Sequence, residues 1–248
     1  MVLEGKIALV TGASRGIGRL LALALASKGV CVVGTARSLD HSIGTGGTLK
    51  DTIQEIREKG GRAMGLVCEV SDPNQVESTV INVIKEFGRI DLLVNNAGIL
   101  HYDDTWEFPV GVWQDMMAIN VTGPFLFCRF IVPHMIQAGN GNILNITSEV
   151  GRRAITKLNP YGTSKAALNQ FTINLANELR EYKIAVNAIE PGYTATDMTG
   201  YRGESIGLVE GPAMWILAQD MSGFTGQVVD RREFGRTWGP TDGNTIDQ

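Results

Sequence analysis

Tyr161 and Lys165 are four residues apart in Tyr161-Gly162-Thr163-Ser164-Lys165. On a helix this spacing puts a phenol and an ammonium on one face, about one turn apart. An ammonium beside a phenol favours the phenolate and draws the tyrosine pKa down from about 10. The pair is then usable for acid/base chemistry near neutral pH. Asn159-Pro160 just upstream gives a helix start signal, with Pro at the first helical position and Asn before it. Tyr-x3-Lys occurs on many helices, so it needs company to mean chemistry.

A second candidate lies near the N-terminus, in Thr11-Gly12-Ala13-Ser14-Arg15-Gly16-Ile17-Gly18. It follows an apolar strand candidate and precedes an Ala/Leu-rich helix candidate. A tight turn there needs one residue without Cβ, close approach of backbone to a pyrophosphate needs another, and helix-on-strand packing a third. The helix N-terminus then offers unpaired N–H groups and a positive dipole end to phosphate. The competing reading is an ordinary strand-to-helix turn.

These residues sit in a regular alternation of elements. Strand candidates are 7–10, 30–34, 63–67, 92–95, 142–146, 184–189 and 226–230. Helix candidates are about 16–28, 48–59, 73–87, 110–138, 160–181 and 211–219. Strands that are apolar throughout suit a parallel sheet covered on both faces. The order predicts an α/β fold, a doubly wound and mostly or wholly parallel sheet of about seven strands with right-handed crossovers. No linker composition or repeat divides the chain, so residues 1–248 read as one domain. His41–Thr48 and the polar tail from about Gly239 read as loops.

The composition is that of an ordinary soluble chain, 44% hydrophobic and 19% charged over 248 residues. A net charge of -4 argues against nucleic acid or an anionic membrane as partner. The continuous apolar stretches read as too short to span a bilayer. Cys31, Cys68 and Cys128 are odd in number and far apart, as core thiols of a reducing compartment would be. With no signal-peptide pattern at Met1, the expected location is cytoplasmic. His41, His101 and His134 share no metal-ligand spacing, and no metal is expected.

The Gly-x3-Gly-x-Gly spacing behind Thr11 resembles the short-chain dehydrogenase/reductase family, in its standard-length Tyr-x3-Lys branch with 3-oxoacyl-acyl-carrier-protein reductase-like members. The resemblance covers roughly residues 3–230 and implies a Rossmann-type fold. It also implies an NAD(P)(H)-dependent oxidoreductase that moves hydride between a nicotinamide and a carbonyl or alcohol carbon. Ser148, thirteen residues before Tyr161, matches the family's catalytic serine, an oxyanion-type donor. Asn120 matches a relay residue whose side chain or backbone holds a water leading to Lys165. The cofactor would touch Gly12, Ser14, Arg15, Gly16, Ile17 and Gly18. Further along, Glu69 and Val70 would meet the adenine; the family usually places Asp at position 69. Asn96, Ala97 and Gly98 would border the adenosine ribose. Pro191-Gly192 would lie under the nicotinamide, with Thr194 and Thr196 near its carboxamide, and Tyr161 and Lys165 beside its ribose.

The second strand ends in Ala36-Arg37 instead of the carboxylate that accepts from the ribose of NAD(H). Arg37, with Arg15, suits a 2′-phosphate in charge and fork geometry, so NADP(H) is expected over NAD(H). Three features depart from the family: a longer 38–48 loop, a short substrate segment of about 198–211, and Asp230-Arg231-Arg232 without the usual glycine pair. The short segment implies an open pocket, suited to a bulky substrate or one presented by a partner. The substrate could be a β-ketoacyl thioester, a steroid, a terpenoid or a small aliphatic ketone. Apolar stripes on helices 110–138 and 160–181 imply, by resemblance, a dimer or homotetramer. The alternative function is a non-catalytic NADP(H)-binding redox sensor or interaction protein on the same fold. Epimerases and dehydratases of this type carry a larger C-terminal domain, and enoyl reductases a wider Tyr–Lys spacing.

Overall fold

A computed structural model describes residues 2–41, 47–220 and 223–240. The expected loop at 38–48 and the tail from 239 therefore lie partly outside the described residues. In chain order the main elements are β1 (Ile7–Thr11), α1 (Gly16–Ser27), β2 (Cys31–Ala36), α2 (Leu49–Glu58), β3 (Ala63–Val67), α3 (Pro73–Phe87) and β4 (Leu92–Asn95). There follow α4 (Val110–Met117), a π-turn (Ala118–Thr122), α5 (Gly123–Ala138), β5 (Gly141–Ile146), α6 (Asn159–Glu178), β6 (Ile184–Glu190), α7 (Glu210–Ala218) and β7 (Val228–Asp230).

The seven strands form one sheet in the order β3-β2-β1-β4-β5-β6-β7, with every pairing parallel. Alternate residues of β1 feed opposite faces. Ala8 and Val10 pack with α1, α2 and α7 through Leu21, Leu25, Ile53 and Ile216, while Ile7 and Leu9 pack with α3 and α5 through Val76, Val80, Phe127 and Ile131. Both faces are covered, which is why the strands read as unbroken apolar runs. The chain leaves β3 at one edge and returns beside β1 as β4. Ligands of open α/β sheets bind outside the carboxyl ends of the strands at such a switch point.

Two expectations change. The helix expected at 110–138 is interrupted by a π-turn around the buried Asn120. Pro124 lacks the N–H that would bond the Asn120 carbonyl four residues back, so the regular ladder cannot run through this point. Taken together, Val110–Ala138 is also long and apolar enough to cross a membrane by length and composition, which the shorter runs counted along the sequence did not suggest. In the fold, this helix packs onto the sheet, and α5 packs against α3. The remaining boundaries shift by a few residues; Pro160 is the second residue of α6 and Leu158 its N-cap.

Candidate active site

The glycine turn is locked to the end of β4. Thr11 Oγ1 accepts the N–H groups of Asn96 (2.9 Å) and Ala97 (3.0 Å), and Asn96 Nδ2 donates back to Thr11 O (2.8 Å). The Asn96 amide thus buttresses the turn, while the residue also lines the cleft. A Cβ at Gly18 would fall 2.3 Å from Gly12 O, so only glycine fits there. Gly16 has φ +56°, the left-handed region glycine tolerates. The N-cap of α1 is Arg15, whose side chain makes no capping bond, and no acid stands in the first turn. The first N–H groups of α1 are therefore left without a side-chain cap, as phosphate binding requires.

A cleft of about 770 Å³ runs from this turn across the carboxyl ends of the strands. Its lining includes Ser14, Arg15, Ile17, Arg37, Val70, Ala97 and Gly98, all expected from the sequence. Arg37 is exposed at the end of β2, and no acid stands at Ala36. Arg15 Nε lies 3.1 Å from Asp197 Oδ2, a pairing the sequence reading did not foresee. Glu69 also lines the cleft, but its Oε1 accepts from Ser71 Oγ at 3.0 Å and from Ser71 N–H at 3.3 Å.

At the other end of the cleft stand Ser148, Tyr161 and Lys165. Ser148 caps the short turn after β5, its Oγ accepting from Val150 N–H at 3.4 Å, and its hydroxyl stands close enough to the Tyr161 phenol to lower its pKa. Lys165 Nζ donates to Ile146 O at 2.9 Å and lies 5.6 Å from the centre of the Tyr161 ring. Burial pushes the Tyr161 phenol up to about 12, against the opposing Ser148 hydrogen bond and with the nearby Tyr102 adding to the rise. Burial also lowers the Lys165 ammonium to about 8. This corrects the expectation that the ammonium draws the phenol down. In a dry pocket, desolvation disfavours both charged forms, and the ammonium is directed at a backbone carbonyl. Tyr161 is therefore a protonated acid at neutral pH.

Asn120 and Gly18 stand behind the lining. Asn120 is fully buried; its Oδ1 accepts from Ile99 N–H (2.8 Å), and its Nδ2 donates to Ile99 O (3.0 Å) and Ser164 Oγ (3.0 Å). The amide side chain thus makes its bonds to Ile99 and Ser164 within the protein.

Pro191 and Gly192 (φ +76°) form the floor beside Ser148. Thr194 Oγ1 donates to Pro191 O at 3.0 Å, and the side chain of Thr196 lies 3.7 Å from where a Gly16 Cβ would stand. The segment after them closes on itself through a bridge between Thr194 and Glu204. Tyr193 and Met198, with Tyr102 and Ile155, are exposed residues of the cleft lining.

Sequence reasoning missed three groups. Arg152 makes a bidentate pair with the fully buried Glu190, linking the Ser148 turn to the Pro191-Gly192 floor. Arg231 is buried under the same floor. The departure at Arg231-Arg232 was the available signal for the last; Glu190, ending an apolar strand, was the signal for the first. Asp103, Asp104 and Glu107 also bring carboxylate oxygens within 4.8 Å of one another, at a partly exposed surface with Lys157 paired to Asp104.

Residues 6–206 match the family model described as short chain dehydrogenase. The 3-oxoacyl-acyl-carrier-protein reductase of Salmonella typhimurium is 37% identical over 199 residues, 80% of this chain and 78% of that enzyme. The 2-dehydro-3-deoxy-D-gluconate 5-dehydrogenase of Dickeya dadantii is 35% identical, over 79% of this chain and 75% of that enzyme. Among solved structures, a metagenomic short-chain oxidoreductase in complex with NADP superposes with a TM-score of 0.82 at 31% identity, covering 93% of this chain and 99% of that one. A gluconate 5-dehydrogenase from Burkholderia cenocepacia, in complex with NADP and tartrate, gives a TM-score of 0.81 at 26% identity, covering 92% and 93%.

Proposed function

The chain belongs to the short-chain dehydrogenase/reductase family, and on that premise we propose that it interconverts a carbonyl and a secondary alcohol with NADP(H), using Tyr161 as the acid/base. The observation that carries this reading is the joining of Ser148, Tyr161 and Lys165 in one cleft with the uncapped N-terminus of α1. The cleft fits the dinucleotide. It has a helix end for the pyrophosphate, Arg15 and Arg37 for a 2′-phosphate, and no acid at Ala36 to repel one.

When bound, NADP(H) supplies or accepts the hydride. For reduction, the substrate oxygen would rest between the Ser148 and Tyr161 hydroxyls. The Tyr161 phenol, held protonated by burial, gives its proton to that oxygen as negative charge grows on it. Ser148 Oγ–H stabilises the same charge. Lys165 Nζ, 5.6 Å from the centre of the ring, would act as the donor that returns a proton to Tyr161, and the Asn120 carbonyl would accept from a water leading outwards. Because the Asn120 side chain already bonds Ile99 and Ser164, its part in the relay falls to the main chain.

The open, partly apolar mouth suits a bulky substrate or one carried by a partner. A second copy of the chain is the partner for α5 and α6, where Phe125 and Ile173 stay exposed and Phe125 packs on Phe171. This supports a dimer or a homotetramer. A single domain over 1–248 and a cytoplasmic location complete the reading, the latter resting on three free, buried cysteines. The test is a panel of ketoacyl thioesters, sugar acids, steroids, terpenoids and small ketones, assayed with NADPH and with NADH. Turnover of a carbonyl that favours NADPH supports the reading. Nucleotide binding without turnover across the panel favours the redox-sensor alternative.

A further inference from the structure

The two arginines that follow β7 have no part in the chemistry above, yet both reach loops that frame it. β7 runs parallel to β6 with Asp230 opposite Glu190, so the next residue, Arg231, emerges beside Pro191. The Arg231 side chain is 7% exposed, an expensive place for a guanidinium unless its donors are used. Its Nε donates to Pro191 O at 2.9 Å, the carbonyl that Thr194 Oγ1 also bonds. Its Nη2 pairs with Glu204 and lies 3.2 Å from where a Cβ of Gly192 would stand. Glu204 closes the far end of the same loop, donating its N–H to Tyr193 O (2.8 Å) and accepting from Ala195 N–H (2.9 Å). One buried fork therefore grips both ends of the 191–204 loop. Arg232 turns the other way and pairs with Glu149, the neighbour of Ser148, at 2.7 Å.

We propose that Arg231 is a positioning residue for the reaction: it sets the height and tilt of the Pro191-Gly192 floor, and so the distance between the nicotinamide and the substrate held by Ser148 and Tyr161. This rests on the NADP(H) reading given above. The planar fork suits the task because it bonds a carbonyl and a carboxylate at once, which a single ammonium cannot do in the same geometry. A floor displaced by a fraction of an ångström alters the alignment of the reacting atoms while leaving the adenosine end of the cleft untouched.

The experiment compares the parent with Arg231→Ala, Arg231→Lys and Glu204→Gln, using two probes and turnover. The first probe is 2′,5′-ADP, which fills the adenosine end alone; the second is NADP+. Arg231→Ala is expected to bind 2′,5′-ADP within about twofold of the parent, and to lose about tenfold or more both in NADP+ affinity and in kcat at saturation, the size of one lost charge-assisted hydrogen bond. Arg231→Lys and Glu204→Gln, which keep part of the contact set, should fall between the two. Millimolar guanidinium should restore part of the Arg231→Ala turnover. The inference is overturned if kcat and NADP+ affinity stay within about twofold in Arg231→Ala, or if 2′,5′-ADP binding weakens as much as NADP+ binding, the mark of a general structural loss. If the parent binds neither probe, the cofactor reading itself fails, and the inference with it.

Discussion

Replacing Asn120 by Leu keeps the side chain's branched outline and removes its hydrogen bonds, and the consequence follows from its partners. Asn120 is fully buried and makes three bonds of 2.8–3.0 Å, two with the Ile99 backbone and one with Ser164 Oγ. Ser164 keeps its own bond to Tyr161 O at 2.7 Å, so the substitution chiefly strands the N–H and C=O of Ile99. Each stranded backbone group costs about 1–3 kcal/mol, so the expected loss is about 4 kcal/mol. For a chain of this size that lowers Tm by roughly 8–16 °C. Urea unfolding at fixed protein concentration, with the slope m checked against the parent, reads the loss directly. On the relay proposed above the side chain is not part of the proton path, so the pH profile of turnover should keep its shape. A loss below about 1 kcal/mol would refute the hydrogen-bond accounting. A profile with a shifted limb would put the side chain back on that path.

Three further outcomes follow. The stability difference between the parent and Lys165→Met should depend on pH: Lys165 titrates near 8 when folded and at its ordinary 10.5 when unfolded. Between those values the unfolded chain binds more protons, so the Lys165 contribution to stability rises with pH by up to about 3 kcal/mol. Tyr161 opposes this only above pH 10, where the folded state holds its proton longer. Denaturation at pH 7.5, 9 and 10 checks the slope, and a falling difference would reverse the assignment. Asp197→Asn removes the carboxylate paired with Arg15 and should tighten 2′,5′-ADP binding more than 5′-AMP binding, while Arg37→Ala should narrow the same preference. Equal effects on the two nucleotides would remove the 2′-phosphate from the account. Finally, Phe125→Asp places a charge on the exposed face of α5 and should lower the mass seen by light scattering; an unchanged mass would move the interface elsewhere.

The sheet and most of the residues that line the cleft were legible because they rest on local rules. Unbroken apolar runs signal buried parallel strands, and the glycines at 12, 16 and 18 answer steric demands that a sequence displays. The π-turn was not legible: it arises from Asn120 and Pro124 together with the distant Ile99 backbone, a contact between elements. The Tyr161 pKa was misjudged for a related reason. Helical spacing predicts which groups meet, whereas the direction of the shift depends on how dry the meeting place is. Arg152 with Glu190, and Arg231 with Pro191 and Glu204, join segments 27–40 residues apart, and sequence periodicity carries no information about such partners.

The most direct measurement of the central claim is turnover by Tyr161→Phe, with NADP+ affinity measured on the same preparation. Phenylalanine keeps the ring against Lys165 and removes only the hydroxyl that gives or takes the proton. The account predicts a fall of about 10²–10⁴-fold in kcat, with NADP+ affinity and thermal stability close to those of the parent. Turnover that survives at the parent's level would contradict the claim that Tyr161 is the acid/base.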